Sequence, residues 1–264
     1  MSTWRLSVAN LMRIDAIFQH IERVQGNVPW GTVLDAGTGQ HSLNWIAKLD
    51  TTRWTAVTCD ESRARSVAKK LEDPPRPRDR IVGGNWMEPD FLHGEVFDVV
   101  LADYLLGSVD RYAPYFQDRL FARIRPHVGS RLYAVGLEPY PDQALTPGGQ
   151  VILEIARLRD ACILLANDRC YREYPMEWMI RVFERSGYRV QDTHVFPILY
   201  GPSFINGQLD VCLYKLPLIA DRQLAAVLED RVKRLRDKAL DLYESEKGIR
   251  FGNDYFVFAT AVSE

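Results

Sequence analysis

The residue types best suited to chemistry lie in Val33-Leu34-Asp35-Ala36-Gly37-Thr38-Gly39-Gln40-His41-Ser42, where an apolar run stops at a carboxylate and two glycines follow. Glycines let the main chain approach a bulky ligand, because no Cβ intervenes, and they tolerate positive φ. Ser42 suits the cap of a following helix, whose free N–H groups favour an anionic group. The turn reads as a cradle for a nucleotide-like ligand; as structure alone it is a tight glycine turn between strand and helix. The next apolar run, Trp54 to Cys59, ends at Asp60. A carboxylate there can accept hydrogen bonds from both hydroxyls of a ribose, or cap the helix behind it. Two ligand classes share this geometry. The dinucleotide fingerprint wants a glycine at position 42, which is Ser. Asp35, standing before the first glycine, suits a ligand with an ammonium group better than one with a pyrophosphate.

These residues need a scaffold. Val8, Leu11, Met12, Phe18, Ile21 and Val24 fall mostly at three- and four-residue intervals, predicting an N-terminal amphipathic helix. Short apolar runs at 54–59, 80–84, 97–102 and 131–137 read as strands, and 42–49, 61–71 and 114–124 between them as helices. Such alternation predicts an α/β fold with a mostly parallel sheet and helices on both faces. Beyond Glu138 a proline-containing loop (139–149) leads to helices over 151–167 and 174–187. A strand over 188–196, a long charged helix over 221–246 and a last strand over 254–262 complete the reading. No repeat or linker is visible. The expectation is one domain over 1–264, with an N-terminal helical cover (1–29) and insertions at 139–174 and 197–253.

Composition narrows the classes. The chain has 264 residues and a formal net charge of −2, so it lacks the basic surplus of proteins that grip nucleic acid through phosphates. Cys59, Cys162, Cys170 and Cys212 form no CxxC pair, which argues against a metal cluster or disulfide framework and for a reducing, cytoplasmic setting. The first 20 residues mix Arg and Asp into their apolar positions and resemble neither a secretory signal nor a membrane span.

Taken together, the motifs resemble the class I S-adenosylmethionine-dependent methyltransferases. VLDAGTG looks like their first motif, and Asp60 like the acidic end of their second strand. Asn85-Trp86 in GGNW resembles the adenine-contacting segment, and FDVVLADYLLG the motif on the fourth strand. FGNDYFVFATAV is similar to their antiparallel last strand. The likeness covers Trp30 to Leu137 well, and departs from the family at His41, in place of a third glycine, and at Asn85, in place of Asp. It implies a Rossmann-like, seven-stranded methyltransferase fold with S-adenosyl-L-methionine as cofactor. The cofactor-binding residues would be Asp35, Gly37, Thr38, Gly39, Asp60, Asn85, Trp86 and Asp103. Tyr104 and Glu138 would orient the methyl acceptor.

The acceptor class is narrowed by what is missing. ADYLLG lacks the Pro-Pro-aromatic run with which amino-methylating nucleic-acid enzymes hold a flipped base, and no Cys follows a Pro as the covalent cytosine mechanism requires. Only Glu138 offers a metal ligand after the fifth strand, so no metal is expected. The cover and insertions carry Trp4, Tyr140, Tyr171, Tyr174, Tyr200 and Phe204, which suit a closed pocket for a small organic acceptor methylated on N or O. A protein methyltransferase and a non-catalytic cofactor binder are the alternatives. The long 221–246 helix reads as a lid, an oligomer contact (a homodimer is left open) or a solvated face.

Overall fold

In the computed structural model, which describes residues 8–262, the first half of the chain alternates strand and helix. It runs α1 (Val8–Gln25), β1 (Thr32–Asp35), α2 (Gln40–Ile46), β2 (Arg53–Thr58), α3 (Glu61–Ala68) and β3 (Arg80–Gly83). Then come β4 (Phe97–Asp103), α4 (Leu105–Tyr112), α5 (Gln117–Ile124) and β5 (Val128–Leu137). The second half holds α6 (Pro147–Leu165), α7 (Met176–Arg185), β6 (Tyr188–Tyr200), α8 (Pro202–Lys215), α9 (Arg222–Glu246) and β7 (Ile249–Ala261).

The strands form one seven-stranded sheet in the order β3-β2-β1-β4-β5-β7-β6. β3, β2, β1, β4 and β5 pair in parallel, and β7 lies antiparallel to β5 with Leu137 opposite Asp254. The apolar runs explain the parallel part. Leu34, Val100, Leu101, Leu132, Ala134 and Val135 are all within 1% of complete burial, although neighbours in a strand point to opposite faces. Both faces are therefore covered, which is the environment parallel strands require.

Two helices escaped the sequence reading. α4 begins immediately after β4, with no glycine or proline to announce it, and α8 contains Asn206 and Gly207. α2 also starts at Gln40 rather than at Ser42, and the helix expected from Pro114 starts at Gln117. Trp4 and the rest of 1–7 lie outside the described residues.

Two compact units divide the chain. One comprises Ile17–Glu138, Tyr171–Phe196 and the residues from Asp254 onward. Within it, Tyr133 Oη donates to Gln25 Oε1 at 2.6 Å, and Phe18 stacks on Trp45 with ring centroids 4.5 Å apart. The other comprises the residues up to Ala16, Pro139–Cys170 and Pro197–Asn253, segments that fall within the ranges read as cover and insertions. There α6, α8 and α9 pack together over Ile152, Ile155, Leu209, Val232 and Leu235. The buried Lys215 ammonium is matched by Asp168, as a charge out of water must be.

Candidate functional site

Strand order reverses between β1 and β4, and in open α/β sheets ligands bind beyond the carboxyl ends of the strands at such a reversal. A cleft of about 450 Å³ lies there. Gly37, Thr38 and Gly39 follow β1 at its edge, Cys59 follows β2, Asn85 and Trp86 follow β3, and Asp103 and Tyr104 lie at the end of β4.

The glycine turn is tied down on both sides. Ala36 N–H donates to Leu101 O in β4 at 2.8 Å, and Thr38 N–H to Val57 O in β2 at 2.6 Å. Ser42 Oγ accepts from Gly39 N–H at 3.1 Å, so Ser42 braces the turn from inside the third position of α2. The two glycines do different jobs, and neither has a positive φ. A Cβ on Gly37 would stand 2.6 Å from Leu105 Cδ1, so this glycine lets α4 pack against the turn. A Cβ on Gly39 would meet no protein atom within 4 Å. Gly39 borders open space.

Asp35 is wholly buried beneath this turn. Its Oδ1 accepts a long bond from Gly37 N–H at 3.4 Å, and its Oδ2 has no hydrogen-bond partner. Burial pushes its carboxyl up to about 6, with the Thr38 and Ser42 hydroxyls opposing the shift. A buried, under-satisfied carboxylate is costly unless a cation or donor answers it.

Asp60 is the N-cap of α3: its Oδ1 accepts from Arg63 N–H at 2.7 Å, and this bond holds its carboxyl below the usual range. Cys59 and Arg63 line the cleft on either side, while Asp60 itself does not. The capping role read from the sequence is therefore present. Asp60→Ala discriminates the two roles. Loss of a cap alone lowers the unliganded melting temperature, whereas a ribose contact adds an affinity loss of about tenfold or more. Unchanged ligand affinity with lowered stability would leave Asp60 a cap and nothing else.

Asn85 holds a local turn, its Oδ1 accepting from Met87 N–H at 3.0 Å and its Nδ2 donating to Tyr112 O at 3.1 Å. Trp86 is nearly buried, and its Nε1–H donates to Ala36 O at 2.7 Å, fastening the segment after β3 to the glycine turn. Tyr104 has φ 48° and ψ 22°, a left-handed conformation rare outside glycine, as the N-cap of α4. Its N–H donates to Val135 O at 3.0 Å, anchoring the strained residue to β5. Backbone strain of this kind gathers at functional sites.

Glu138 is placed differently. It is not among the described residues lining the cleft, and its Oε1 accepts from Met176 N–H at 2.9 Å, where it holds the first turn of α7. Of the aromatics expected to close a pocket, Tyr171 lines the cleft. Tyr174 packs on Trp178 with centroids 4.2 Å apart, and Tyr140, Tyr200 and Phe204 cluster in the other unit. Cys59, Arg63, Tyr112 and Glu173 reach the cleft without any motif to announce them. Among the described residues, no group of His, Cys, Asp or Glu could hold a metal, and no helix is long and apolar enough to cross a membrane.

No protein-family profile matches the sequence, and no characterised protein matches it by sequence. Solved structures do. A provisionally named methyltransferase of Bacillus halodurans C-125 superposes with TM-score 0.60 at 14% identity, over 94% of this chain and 100% of that one. Mycolic acid cyclopropane synthase CmaA1, solved with SAH and CTAB, gives 0.55 at 15% identity over 97% and 90%. The cyclase SpnF gives 0.54 at 15% identity over 100% and 85%. At such identities the likeness shows the fold. The chain has the Rossmann-like fold of the class I methyltransferases, with the antiparallel last strand that the sequence led us to expect.

Proposed function

We propose that this protein is an S-adenosyl-L-methionine-dependent methyltransferase acting on the N or O atom of a small organic molecule. The observation that carries the reading is the cleft at the β1/β4 reversal, bordered by an open Gly39 above a buried carboxylate with an unpartnered oxygen. These residues fit the cofactor: the gap at Gly39 admits a ligand against the main chain, and Asp35 answers an ammonium. Bound there, the cofactor would supply an electrophilic methyl group on a sulfonium. Asp60 would accept from the ribose, Asn85 and Trp86 would flank the adenine, Thr38 and Asp103 would border the methionine end, and Tyr104 would orient the acceptor. Glu138 would help in that task only through the carboxylate oxygen that Met176 does not occupy.

Calorimetry with separate ligands tests the reading. S-adenosylmethionine and S-adenosylhomocysteine should bind saturably and NAD should not; NAD binding with no response to the sulfur compounds would overturn it. Methyl label from the cofactor should then appear in a small-molecule pool, with turnover lowered in Tyr104→Phe and Glu138→Gln at unchanged cofactor affinity. Label confined to protein would support the macromolecular alternative, and binding with no transfer at all the non-catalytic one.

A further inference from the structure

Two cysteines that stand fifty residues apart in the chain meet inside the unit built from α6, α8 and α9. Cys162 continues the apolar seam of Ile152, Ile155 and Leu158 along α6, and Cys212 that of Ile205 and Leu209 along α8. Spacings of three and four residues put each set on one face of its helix. The two helices pack on each other, and contacts on either side of the cysteines fix the register. Arg159 Nη1 donates to Gln208 Oε1 at 2.6 Å, and the Lys215 ammonium pairs with Asp168 just past the end of α6. Between those contacts the Cys162 and Cys212 thiols hydrogen-bond to each other, and both residues are completely buried.

Core packing alone does not ask for this pairing, since a buried cysteine behaves as a small apolar group and other small side chains would fill the seam. The surroundings of the pair favour chemistry at sulfur. Cys212 S–H has two acceptors in reach, the carbonyl of Gln208 one turn back at 3.6 Å and the Cys162 sulfur. The bond between the thiols holds Cys162 below the usual thiol range and, joined by burial, pushes Cys212 well above it. The Arg159 guanidinium adds a positive charge beside them. A thiolate is the nucleophilic form of cysteine, and an S–H donor or a cation nearby stabilises it. Cys59 and Cys170 are set differently, each turning its S–H on an oxygen, Asp60 Oδ2 at 3.4 Å and Asp160 O at 3.6 Å.

We propose that Cys162 and Cys212 are a reversible redox pair, which hydrogen peroxide closes into a disulfide that staples α6 to α8. The proposal stands independently of the methyltransferase reading. Cys162, having given up its proton, attacks one peroxide oxygen; the S–O bond forms as the O–O bond breaks, and the departing hydroxide takes that proton and leaves as water. The Cys212 sulfur then attacks the Cys162 sulfur. The S–S bond forms as the S–O bond breaks, and hydroxide leaves with the Cys212 proton as a second water. The two thiols lose two electrons and two protons in all, and the peroxide is reduced to two waters. Burial slows the first step, which waits on local opening of the helices, and shields the finished bond from reductant.

The test treats the folded full chain with hydrogen peroxide at neutral pH, alkylates the remaining thiols after denaturation and maps unreduced peptides by mass. Two of the four cysteines should escape alkylation, and one peptide pair should be joined through Cys162 and Cys212. The melting temperature should rise by about 5 °C or more, because the link restricts the unfolded chain, and should fall back with dithiothreitol. Cys162→Ser and Cys212→Ser should each lose the joined peptide and the rise together. Four alkylated cysteines, a link through Cys59 or Cys170, a link that forms only in denaturant, or one that leaves the melting temperature unmoved overturns the proposal. Should either variant fold poorly, the peptide map and melting shift of the unaltered protein still decide.

Discussion

Gly83→Ala is expected to lower the melting temperature by about 5–10 °C and weaken ligand binding, whereas Gly39→Val should leave stability nearly unchanged and weaken binding alone. The difference lies in what a new Cβ would meet. At Gly83 it would stand 2.3 Å from the carbonyl carbon of Asp60 and 2.3 Å from the amide nitrogen of Glu61. Those are backbone atoms at the start of α3, and they cannot rotate away as a side chain would. The same joint is fastened by Gly83 N–H donating to Glu61 Oε1 at 3.0 Å and by Gly84 N–H donating to Thr58 O at 2.8 Å. Relief requires β3 and the Asp60 cap to separate, which disturbs the proposed ribose side of the cleft. At Gly39 the backbone is extended, with φ −109° and ψ −178°, a conformation valine favours, and no protein atom opposes a Cβ. A valine there occupies ligand space, weakening binding about ten- to hundredfold. Thermal melts with and without S-adenosylhomocysteine separate the two outcomes. A stable Gly83→Ala protein with full affinity would show that this joint has slack.

The second large effect concerns Asp35. Its carboxyl ionises at about 6 in the folded chain against a usual 3.8, because burial disfavours the charge. A carboxyl raised in this way contributes stability that is fully present below about pH 4 and is lost as pH rises through about 6, staying absent above. Asp35→Asn should therefore stabilise the unliganded protein at neutral pH, by roughly 2–3 kcal/mol for a shift of this size. The same change should weaken an ammonium-bearing ligand strongly, because the charge that answers it is gone. In the unaltered protein, affinity for S-adenosylhomocysteine should climb as pH rises from about 5 to 7 and then level off, with a proton released on binding near pH 6. Calorimetry in two buffers of different ionisation enthalpy measures that proton. A flat affinity over this range, with no proton released, would show that Asp35 does not face the ligand's ammonium.

Much of the scaffold was legible in the sequence, because its strands are buried on both faces and carry little else than apolar residues. Val33 to Asp35, Trp54 to Thr58 and Phe97 to Asp103 each stop at the residue that turns the chain toward the cleft. α4 was not legible. It follows β4 through Tyr104, whose left-handed backbone is set by the fold and leaves no mark in composition. The glycines illustrate a second limit. Gly37, Gly39 and Gly83 look alike as letters, yet one makes room for Leu105, one borders open space and one makes room for the main chain of Asp60 and Glu61. Glu173 was invisible for a third reason. It belongs to no strand end, and the segment that carries it is held on α4 by Arg172 N–H donating to Gly107 O. Glu138 shows the converse: its position after β5 suggested the cleft, but it is not among the described residues lining it, and the start of α7 engages one of its carboxylate oxygens.

The place of β7 in the sheet constrains the order of assembly during synthesis. Ile249–Ala261 follows every other described element in the chain, yet lies between β5 and β6. A ribosome working from the N-terminus makes β5 more than a hundred residues before the strand that covers its outer edge. Until then the hydrogen-bonding edge of Leu132 to Leu137 is open, and β6 has no partner on the side where β7 will lie. Open apolar edges of this kind invite pairing between chains. The nascent protein thus carries an adhesive edge while the chain between Leu137 and Ile249 is made, and β7 seals it by insertion rather than by addition at the rim.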